Sequence, residues 1–469
     1  MSADQTVPTA PATGRRGRHR VVVIGSGFGG LFGAKALKKA DVDLTLVART
    51  THHLFQPLLY QVTTGILSEG EVAPSTREVL SRQKNADVVL GEVTDIDLEH
   101  RTVTAHVLER EHTYDYDSLI VAAGSGQSYF GHEEFADNAP GMKSIDDALE
   151  LRGRIFGSFE LAELAAAAGR TEDVDRLMTF VVIGAGATGV EMAGQIAELS
   201  KRTLRHDFRH IDPTRARIIM LDAMDSVLGS FGDRLGGKAA RRLRKMGVEI
   251  RLGQKVVDVD RTGIVVEHQD GRRERIDAVA KVWAAGVSAS PLGRQLADQV
   301  GLQVDRAGRI PVQPDLTLPG HPEVFVVGDM ITLDHLPGVA QVAIQSARYA
   351  ADQIHRRLEG RETGQPFHYF DKGSMATISR FSAVVSIGRL RMSGLLGWLL
   401  WLGVHLFYII GFKSRITTLL HWVVSFLGRG RAQRTVTEQQ TFARLALQQL
   451  GKDFRPSLDR PGQTRRDED

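Results

Sequence analysis

The sequence predicts an α/β fold built from two copies of one parallel βαβ unit. Residues 21–30 (VVVIGSGFGG) return as residues 180–189 (FVVIGAGATG), and residues 119–124 (LIVAAG) return as residues 281–286 (KVWAAG). In each copy a short β-branched run, a glycine-rich turn and an alanine-rich segment follow one another, which is how a doubly wound sheet begins. Apolar segments near the C-terminus are expected to add helices outside the two sheets.

Composition excludes several kinds of chemistry. The 469 residues contain no cysteine, which removes disulfides, thiolate metal sites, cysteine nucleophiles and redox thiols. Any redox reaction must therefore use a bound organic cofactor, and no metal site is expected. The net charge of only +3 argues against a nucleic-acid partner, because such proteins usually carry a basic excess on one element.

Both glycine turns match the G-x-G-x-x-G pattern of a dinucleotide site. The first glycine permits the tight turn, the second lets backbone N–H groups approach a pyrophosphate, and the third lets the helix close on the strand. One match is weak, whereas two matches in the same strand–turn–helix context are strong. The first turn supplies Gly25, Gly27 and Gly30, and the second supplies Gly184, Gly186 and Gly189. The chain is therefore expected to bind two dinucleotides.

The end of the second strand distinguishes the two copies. In the second copy the strand over 217–221 leads to Asp222, which can hold a ribose 2′-OH and would repel a 2′-phosphate. The second site is expected to prefer NADH to NADPH, with a solvated strand-end aspartate as the alternative interpretation. In the first copy Ala48 and Arg49 follow the strand. Arg49 is interpreted as a solvated cation rather than as a phosphate partner.

These features resemble the two-dinucleotide-binding flavoprotein reductases, in which the N-terminal site holds FAD and the inserted site holds the nicotinamide. The resemblance implies two Rossmann-like domains in a glutathione-reductase-like frame, here without redox cysteines. It extends to Gly328 and Asp329, which follow the predicted strand 323–327 (EVFVV), because in that superfamily the aspartate meets the flavin ribitol chain. Disulfide reductases and sulfide:quinone oxidoreductases are excluded, since both use cysteine sulfur.

Three further segments resemble the type II NADH dehydrogenases, which are single-subunit, non-pumping NADH:quinone oxidoreductases. Residues 53–62 (HLFQPLLYQV) resemble the loop that this family places by the flavin. Residues 340–345 (AQVAIQ) match its A-Q-x-A-x-Q motif, and residues 369–376 (YFDKGSMA) resemble its D-K-G-x-M-A turn. The sequence departs from the family at Ala48, where relatives usually have Asp or Glu.

The resemblance also implies site residues. FAD contacts are expected at Gly25, Gly27, Phe28, Gly29, Gly30, Gln56, Leu58, Ala123, Gly124, Gly328, Asp329, Gln341 and Val342, and NADH contacts at Gly184, Gly186, Ala187, Thr188, Gly189, Glu191, Asp222, Ala285 and Gly286. Glu191 would lie near nicotinamide and flavin, and Gln341 and Gln345 would line the route to the quinone. With Lys372, these three residues are the candidates for shaping proton movement.

Each of these roles has a structural alternative. Glu191 stands near a helix start, where a carboxylate also compensates the helix dipole. Lys372 can equally be a surface cation. Gln341 and Gln345 stand one helical turn apart, and their apolar setting makes unpaired amides costly, which favours a polar ligand nearby.

The C-terminal region predicts amphipathic helices that lie in a membrane surface. Residues 394–412 are apolar except for His405, and Ile416, Leu419, Leu420, Val423, Val424 and Leu427 form one helical stripe. Tryptophans and flanking cations accompany both segments, as in interfacial helices. The expected membrane contacts are Trp398, Trp401, Ile416, Leu420, Trp422, Val423 and Leu427. The alternatives are a transmembrane span over 394–412 and a soluble dimer or core helix pair.

The predicted domain order follows from these motifs. It is a flexible arm (1–19), an FAD-binding domain (20–145 and 295–380), an inserted NADH-binding domain (146–294), membrane-anchoring helices (381–434) and a polar tail (435–469). The tail could begin a helix at Thr435, with Glu438 completing a capping box. The apolar run after Arg15 and Arg16 is too short for an export signal, so the cytoplasmic face of the cell membrane is expected.

The predicted function is electron transfer from NADH through FAD to a membrane quinone, by a homodimer on the bilayer surface. No series of intramembrane ionisable groups is present, so proton pumping is not expected. Two alternatives stay open at this point. One is a soluble NADH-dependent ferredoxin- or rubredoxin-type reductase, and the other is a flavin-binding redox sensor.

Overall fold

The computed structural model describes residues 17–107, 110–428 and 430–437. Most of the predicted arm and tail, including the capping box at Glu438, lies outside the described residues. Two parallel sheets dominate the described part of the chain, and the predicted α/β fold is confirmed.

The first sheet has six strands. Their order is Thr317–Leu318, His321–Val326, Ser118–Val121, His19–Ile24, Val42–Ala48 and Ala86–Leu90. Every pair is parallel except the one formed by the short strand at its edge. The last four residues of His19–Ile24 are buried, as expected for a central strand covered on both faces. Helices Phe28–Ala36 and Ala340–Leu358 pack against each other beside this sheet.

The second sheet has four parallel strands. Their order is Val248–Leu252, Arg217–Asp222, Thr179–Ile183 and Ala280–Trp283. Its helices are Ile145–Ala167, Thr171–Leu177, Ala187–Glu198 and Gly232–Lys245, and a π-helical turn, Leu199–Thr203, continues the third of them. All four strands fall in the chain between Ser118–Val121 and Thr317–Leu318 of the first sheet.

Smaller elements extend both sheets. Antiparallel three-stranded sheets comprise Glu92–Asp97, Thr102–Val107 and Arg110–Asp115, and Lys255–Val259, Gly263–Glu267 and Arg273–Asp277. Two-stranded pairs join Ser125–Gln127 to Val287–Ala289 and Ile310–Pro311 to Ile331–Thr332. Short helices are Leu59–Thr63, Glu69–Val72, Thr76–Leu80 and Leu292–Gln299. The pair Ser125–Gln127 with Val287–Ala289 ties the two halves together.

A further three-stranded sheet, which we call the C-terminal sheet, follows helix Ala340–Leu358. Strands Ser374–Ser379, Ser382–Ile387 and Leu390–Gly394 form an antiparallel meander. This corrects the expectation that helices begin at residue 381. The run 382–387 (SAVVSI) contains β-branched residues, and the positive φ at Phe381 and Gly388 suits strands joined by tight turns.

Two helices are the last secondary-structure elements of the described residues. They are Leu395–Tyr408 and Phe412–Leu427, separated by Ile409–Gly411, where Gly411 has a φ of 94°. The apolar segment 394–412 is therefore broken rather than continuous. Within the described ranges, no helix combines the length and the hydropathy needed to cross a bilayer.

The buried residues form two large cores. One surrounds the first sheet. The other joins the second sheet to the 53–72 segment and to the inner side of the two C-terminal helices. The second core therefore connects the nucleotide domains to the C-terminal region.

Candidate active site

The two glycine turns have the same geometry. Gly25 and Gly184 have φ values of 99° and 113°, a conformation that favours glycine. A Cβ on Gly30 would stand 1.8 Å from the Gly25 carbonyl oxygen, and one on Gly189 would stand 1.9 Å from that of Gly184. Only glycine fits the first and third positions of either turn.

The middle glycines face open space. A Cβ on Gly27 or Gly186 would meet no protein atom within 4 Å. Each residue precedes a helix, Phe28–Ala36 or Ala187–Glu198, that has no side-chain cap and no acidic residue in its first turn. Unpaired N–H groups and the positive end of each helix therefore point into two openings that fit a pyrophosphate.

Asp222 braces the second turn. Its carboxylate accepts hydrogen bonds from the backbone N–H groups of Ala185 at 2.6 Å and Met224 at 2.8 Å. The side chain is half-buried, so it lies beside the glycine turn at the position where a ribose hydroxyl would arrive. Ala187 and Thr188, the next predicted contacts, are exposed and half-buried on the same turn.

The first turn is stabilised by hydrogen bonds that involve no carboxylate. Ala48 is buried at the end of its strand. The Ser26 hydroxyl donates to the His52 carbonyl at 2.9 Å, and the buried His53 donates from Nδ1 to the Ser26 carbonyl at 2.9 Å. Burial lowers the pKa of His53 to about 4, so this imidazole is neutral at physiological pH.

The segment that contains His53 covers the start of the first helix. The Phe28 ring stands edge-on to His53 and Phe55, with centroid distances of 5.1 and 5.8 Å. Gln56 is half-buried and Leu58 is fully buried in the same segment. The first opening is therefore walled by aromatic rings, whereas the second has an exposed rim.

A polar cluster surrounds the late aspartate. Asp329 accepts a hydrogen bond from the Ser125 hydroxyl at 2.8 Å, which brings it beside Gly124. Gly328 has a φ of 75°, and its N–H donates to the Ser346 hydroxyl at 3.2 Å. Burial lowers the pKa of Lys143, while the negative charge of Asp329 raises it. Ser125 and Lys143 were not predicted, because a single serine or lysine in a loop carries no spacing signal.

The two copies of the second motif, residues 119–124 and 281–286, are followed by strands that pair with each other. Gln127 donates from Nε2 to the carbonyls of Ala285 at 2.6 Å and Gly286 at 2.7 Å. This contact joins the turn after Ala123 and Gly124 to the equivalent turn of the second half. The two predicted cofactor regions are therefore adjacent.

Glu191 is a buried carboxyl between the halves. It is 9 % exposed and accepts a hydrogen bond from the Thr377 N–H at 3.3 Å. Burial raises its pKa to about 8, with the Thr377 contact acting in the opposite direction. Tyr60 lies close enough that the negative charge of Glu191 adds to burial in raising the tyrosine pKa. Glu191 is therefore mainly protonated at neutral pH, which a dipole-compensating carboxylate would not be.

The glutamines differ in their partners. Gln345 pairs with the Phe370 backbone, donating to its carbonyl and accepting from its N–H, both at 3.0 Å. The Phe370 backbone, rather than a ligand, therefore satisfies the Gln345 amide in this structure. Gln341 is half-buried, and within the described part of the chain its amide has no hydrogen-bond partner. Val342, beside it, is buried.

Lys372 contacts the C-terminal helices. Its Nζ donates to the Tyr408 hydroxyl at 3.2 Å and stands 5.9 Å from the centroid of that ring. The side chain is exposed, so the surface-cation interpretation agrees with its position. The contact nonetheless ties the 369–376 turn to helix Leu395–Tyr408.

The three C-terminal tryptophans are inside the protein. Trp398, Trp401 and Trp422 are at most 5 % exposed, which corrects their expected place at the membrane interface. Trp422 donates from Nε1 to Gln61 Oε1 at 2.7 Å, and Gln61 donates to the Tyr60 hydroxyl at 3.0 Å. The indoles therefore connect the C-terminal helices to the region around Glu191.

The chain beyond the last helix adds a residue that the sequence did not reveal. Arg431 is buried and donates to the Thr64 carbonyl at 2.7 Å and to Gln195 Oε1 at 3.0 Å. Burial lowers its pKa to about 10, so the guanidinium stays charged at neutral pH. It ties the segment after Leu427 to both nucleotide domains.

The comparisons agree with this geometry. A family model described as pyridine nucleotide-disulphide oxidoreductase matches residues 19–347. The type II NADH:quinone oxidoreductase Ndh of Mycobacterium tuberculosis is 60 % identical over 440 residues, covering 93 % of this chain and 94 % of the relative. A second protein of that organism, the type II NADH:quinone oxidoreductase NdhA, is 57 % identical over 435 residues, covering 92 % of each.

A solved structure shows the same fold. NDH2 from Plasmodium falciparum in complex with NADH has a TM-score of 0.81 at 18 % identity, covering 88 % of this chain and 99 % of that chain. At this identity the likeness concerns the fold, while the two mycobacterial relatives establish the family. The chain belongs to the pyridine nucleotide-disulphide oxidoreductase family and, within it, to the type II NADH:quinone oxidoreductases.

Proposed function

We propose that this protein oxidises NADH and reduces a membrane quinone, with FAD as its resident cofactor. The observation that carries the proposal is the pair of open glycine turns on a chain without cysteine. Bound FAD would supply the redox chemistry, namely hydride acceptance from NADH and two-electron donation to the quinone. The names of the two mycobacterial relatives support the same reaction.

Different residues of the chain would bind FAD and NADH. The first turn, with Phe28, Gly124 and Asp329, would hold FAD, because the aromatic wall of Phe28 and Phe55 excludes water on one side. The second turn would bind and release NADH, since its rim is exposed. Asp222 would accept a hydrogen bond from the adenosine ribose and disfavour the phosphate of NADPH.

Glu191 would donate or accept a proton between the two sites. A carboxyl with a pKa of about 8 can donate or accept a proton near neutral pH, which is the range that general acid–base chemistry requires. Gln341 would offer a hydrogen bond to the quinone from its unpaired amide, whereas Gln345 would position the 369–376 turn through Phe370.

Helix Phe412–Leu427 supports binding to a lipid surface. Its apolar stripe points outward, with Ile416, Leu419, Leu420, Val423, Val424 and Leu427 between 42 % and 75 % exposed. The opposite face buries Ser414, Thr418, Trp422 and Phe426. A water-soluble helix would place this stripe inside, so the arrangement favours contact with lipid.

The stripe argues against the soluble ferredoxin- or rubredoxin-type reductase, which has no use for an exposed apolar helix. We place the protein on the cytoplasmic face of the membrane, where its substrate NADH is found, and we propose a homodimer. Sedimentation velocity of the detergent-free protein would test the dimer, because a monomer at all concentrations would contradict it.

A pair of variants tests the function and its location together. Leu420→Gln with Val424→Gln should weaken binding to vesicles by at least about 100-fold, because each substitution removes apolar area that lipid would bury. Quinone reduction in vesicles should fall accordingly, while NADH-dependent reduction of ferricyanide should persist. The matched control is Leu161→Gln with Leu164→Gln, which changes two exposed leucines on helix Ile145–Ala167.

The outcomes separate the alternatives. Equal quinone activity for both double variants would contradict the membrane role and favour the soluble reductase. Absence of NADH-dependent ferricyanide reduction in the wild type would contradict the enzyme assignment and favour the redox sensor.

A further inference from the structure

A cationic surface cavity lies between two helices of the first domain. The cavity, of about 500 Å³, is lined by Phe32, Lys35, Arg348, Asp352 and His355, with two alanines. Phe32 and Lys35 belong to helix Phe28–Ala36, and the other three belong to helix Ala340–Leu358. No residue of either glycine turn lines the cavity, and Lys35 is in the last turn of the helix that follows the first glycine turn.

Two cations share one aromatic ring in this cavity. Lys35 Nζ stands 5.7 Å from the centroid of Phe32, and the Arg348 guanidinium carbon stands 5.1 Å from it. Neither side chain forms an ion pair with any residue that the structure describes. Asp352, the carboxylate in the lining, is bound to Arg356 at 2.7 Å. The cavity therefore presents two positive charges that form no ion pair with a carboxylate of the described residues.

Further cations surround the same place. Burial lowers the pKa of Lys35, and the positive charges of Arg348, Arg415 and Lys38 lower it further. Such a group of like charges is unfavourable unless an anion joins it. The cluster is thus prepared for a negatively charged ligand.

One of the charges that act on Lys35, Arg415, belongs to the C-terminal helices. Arg415 lies in the first turn of helix Phe412–Leu427 and donates to the carbonyls of Ile409 at 2.8 Å and Phe407 at 2.9 Å. Ile410, in the break between the helices, packs against the core of the first sheet. Phe407 and Phe412 flank this break and are 69 % and 81 % exposed. Arg415 thus stands beside the exposed apolar residues that would meet lipid, and its charge also acts on Lys35.

We propose that Lys35 and Arg348 bind the phosphate of an anionic phospholipid headgroup at the edge of the membrane-binding surface. The acyl chains would lie along the exposed side of the C-terminal helices, beside Phe407 and Phe412. The proposal rests on the membrane association proposed above, and it adds a lipid class and a site. Charge complementarity favours this occupant, because cations beside an apolar surface match the phosphate and tails of one molecule.

The test measures partitioning of the full-length protein onto vesicles. Phosphatidylcholine vesicles are compared with vesicles that also contain phosphatidylglycerol, at one fixed ionic strength. Lys35→Ala with Arg348→Ala removes the two cavity cations. Lys255→Ala with Arg261→Ala removes two exposed cations, one from strand Lys255–Val259 and one from the turn that follows it, and serves as the matched control. Flavin content and melting temperature verify that each variant is folded.

The wild type should bind phosphatidylglycerol vesicles more tightly than phosphatidylcholine vesicles. The cavity variant should lose about 30-fold in binding to the anionic vesicles, since each cation near an anionic surface contributes roughly fivefold. Its binding to phosphatidylcholine should stay unchanged, and the control variant should behave as the wild type.

Three results would overturn the site. Equal losses in the cavity and control variants would mean that only net charge matters. A wild type without any preference for phosphatidylglycerol would remove the headgroup site while leaving the membrane association intact. A rise in melting temperature with inorganic phosphate, without a vesicle preference, would assign the cavity to free phosphate. Failure of the wild type to bind either vesicle would instead contradict the membrane part of the proposed function.

Discussion

The two glycine turns of this protein are alike in backbone and unlike in what surrounds them. In both turns the third glycine leaves no room for a Cβ, which would stand within 1.9 Å of the first glycine's carbonyl oxygen. Around the first turn, a neutral histidine, a serine and two phenylalanines form the wall. Around the second, Asp222 accepts two backbone hydrogen bonds at an exposed rim.

The difference explains how two copies of one backbone frame can bind two ligands. The repeat fixes where a pyrophosphate can bind, and the neighbouring segments decide how long the ligand stays and which sugar is accepted. A walled site suits a resident cofactor, whereas an exposed site with a carboxylate suits a substrate that must leave after each turnover.

The largest expected effect comes from the third glycines. Gly30→Ala should yield protein without flavin, because its Cβ would collide with backbone at 1.8 Å. Gly189→Ala should retain flavin but lose at least about 100-fold in the rate of bleaching by NADH. Flavin absorbance and stopped-flow bleaching measure the two effects. Gly157→Ala is the control, since a Cβ there meets no atom within 4 Å, and identical behaviour of the two turn variants would refute the division of roles.

A smaller effect is expected at Asp222. Replacing it by serine removes a charge-assisted hydrogen bond and the repulsion of a 2′-phosphate, so NADH selectivity over NADPH should fall about 10- to 100-fold. The ratio of kcat/KM for the two substrates measures this. Asp225→Ser, an exposed aspartate nearby, should leave the ratio unchanged. Unaltered selectivity in the Asp222 variant would remove its assigned role.

Glu191 allows a test by pH. Its carboxyl has a pKa of about 8 in the fold and 4.5 as an ordinary group, so the folded state prefers the protonated form. Its contribution to stability is complete below pH 4.5 and is lost as the pH rises to about 8. Glu191→Gln should abolish that loss, which is on the order of a few kcal/mol.

Thermal unfolding of the holoenzyme from pH 5 upwards measures this slope. Glu160→Gln, on the exposed side of helix Ile145–Ala167, should keep the wild-type slope. The pH dependence of quinone reduction should also lose a step near the Glu191 pKa of about 8. A Glu191→Gln protein with the wild-type slope would show that the carboxyl is ionised in the fold.

The smallest effect is expected at Gln345. Gln345→Ala removes two hydrogen bonds to the Phe370 backbone, each contributing about 1 kcal/mol. The KM for quinone should rise a few-fold, with flavin bleaching by NADH unaffected. A change in bleaching rate without a change in quinone KM would show that Gln345 acts in flavin reduction by NADH and not at the quinone site.

Sequence reasoning succeeded where the signal is local. The glycine turns, Asp222 and the helical stripe of Ile416 to Leu427 are short patterns whose geometry follows from backbone sterics and helical period. The fold around the turns and the common face of the stripe could therefore be predicted from the residues. The exposure of the stripe could not, because a soluble helix pair has the same pattern.

It failed where burial depends on distant partners. Trp422 is held inside by Gln61, 361 residues away, and helix Leu395–Tyr408 is apolar on all sides, so its pattern does not say which face is inner. The C-terminal sheet, Ser374–Gly394, was missed because its strands are short and lie next to a strongly apolar segment. Thr377, on that sheet, was missed with it, although it is the hydrogen-bond donor to Glu191.

The most direct test of the two-site account is an anaerobic titration of the purified protein with NADH, followed by addition of a quinone. Absorbance at about 450 nm, where flavin absorbs, should be bleached by NADH and restored by the quinone. A colourless protein, or a bleached flavin that quinone fails to restore, would contradict the account.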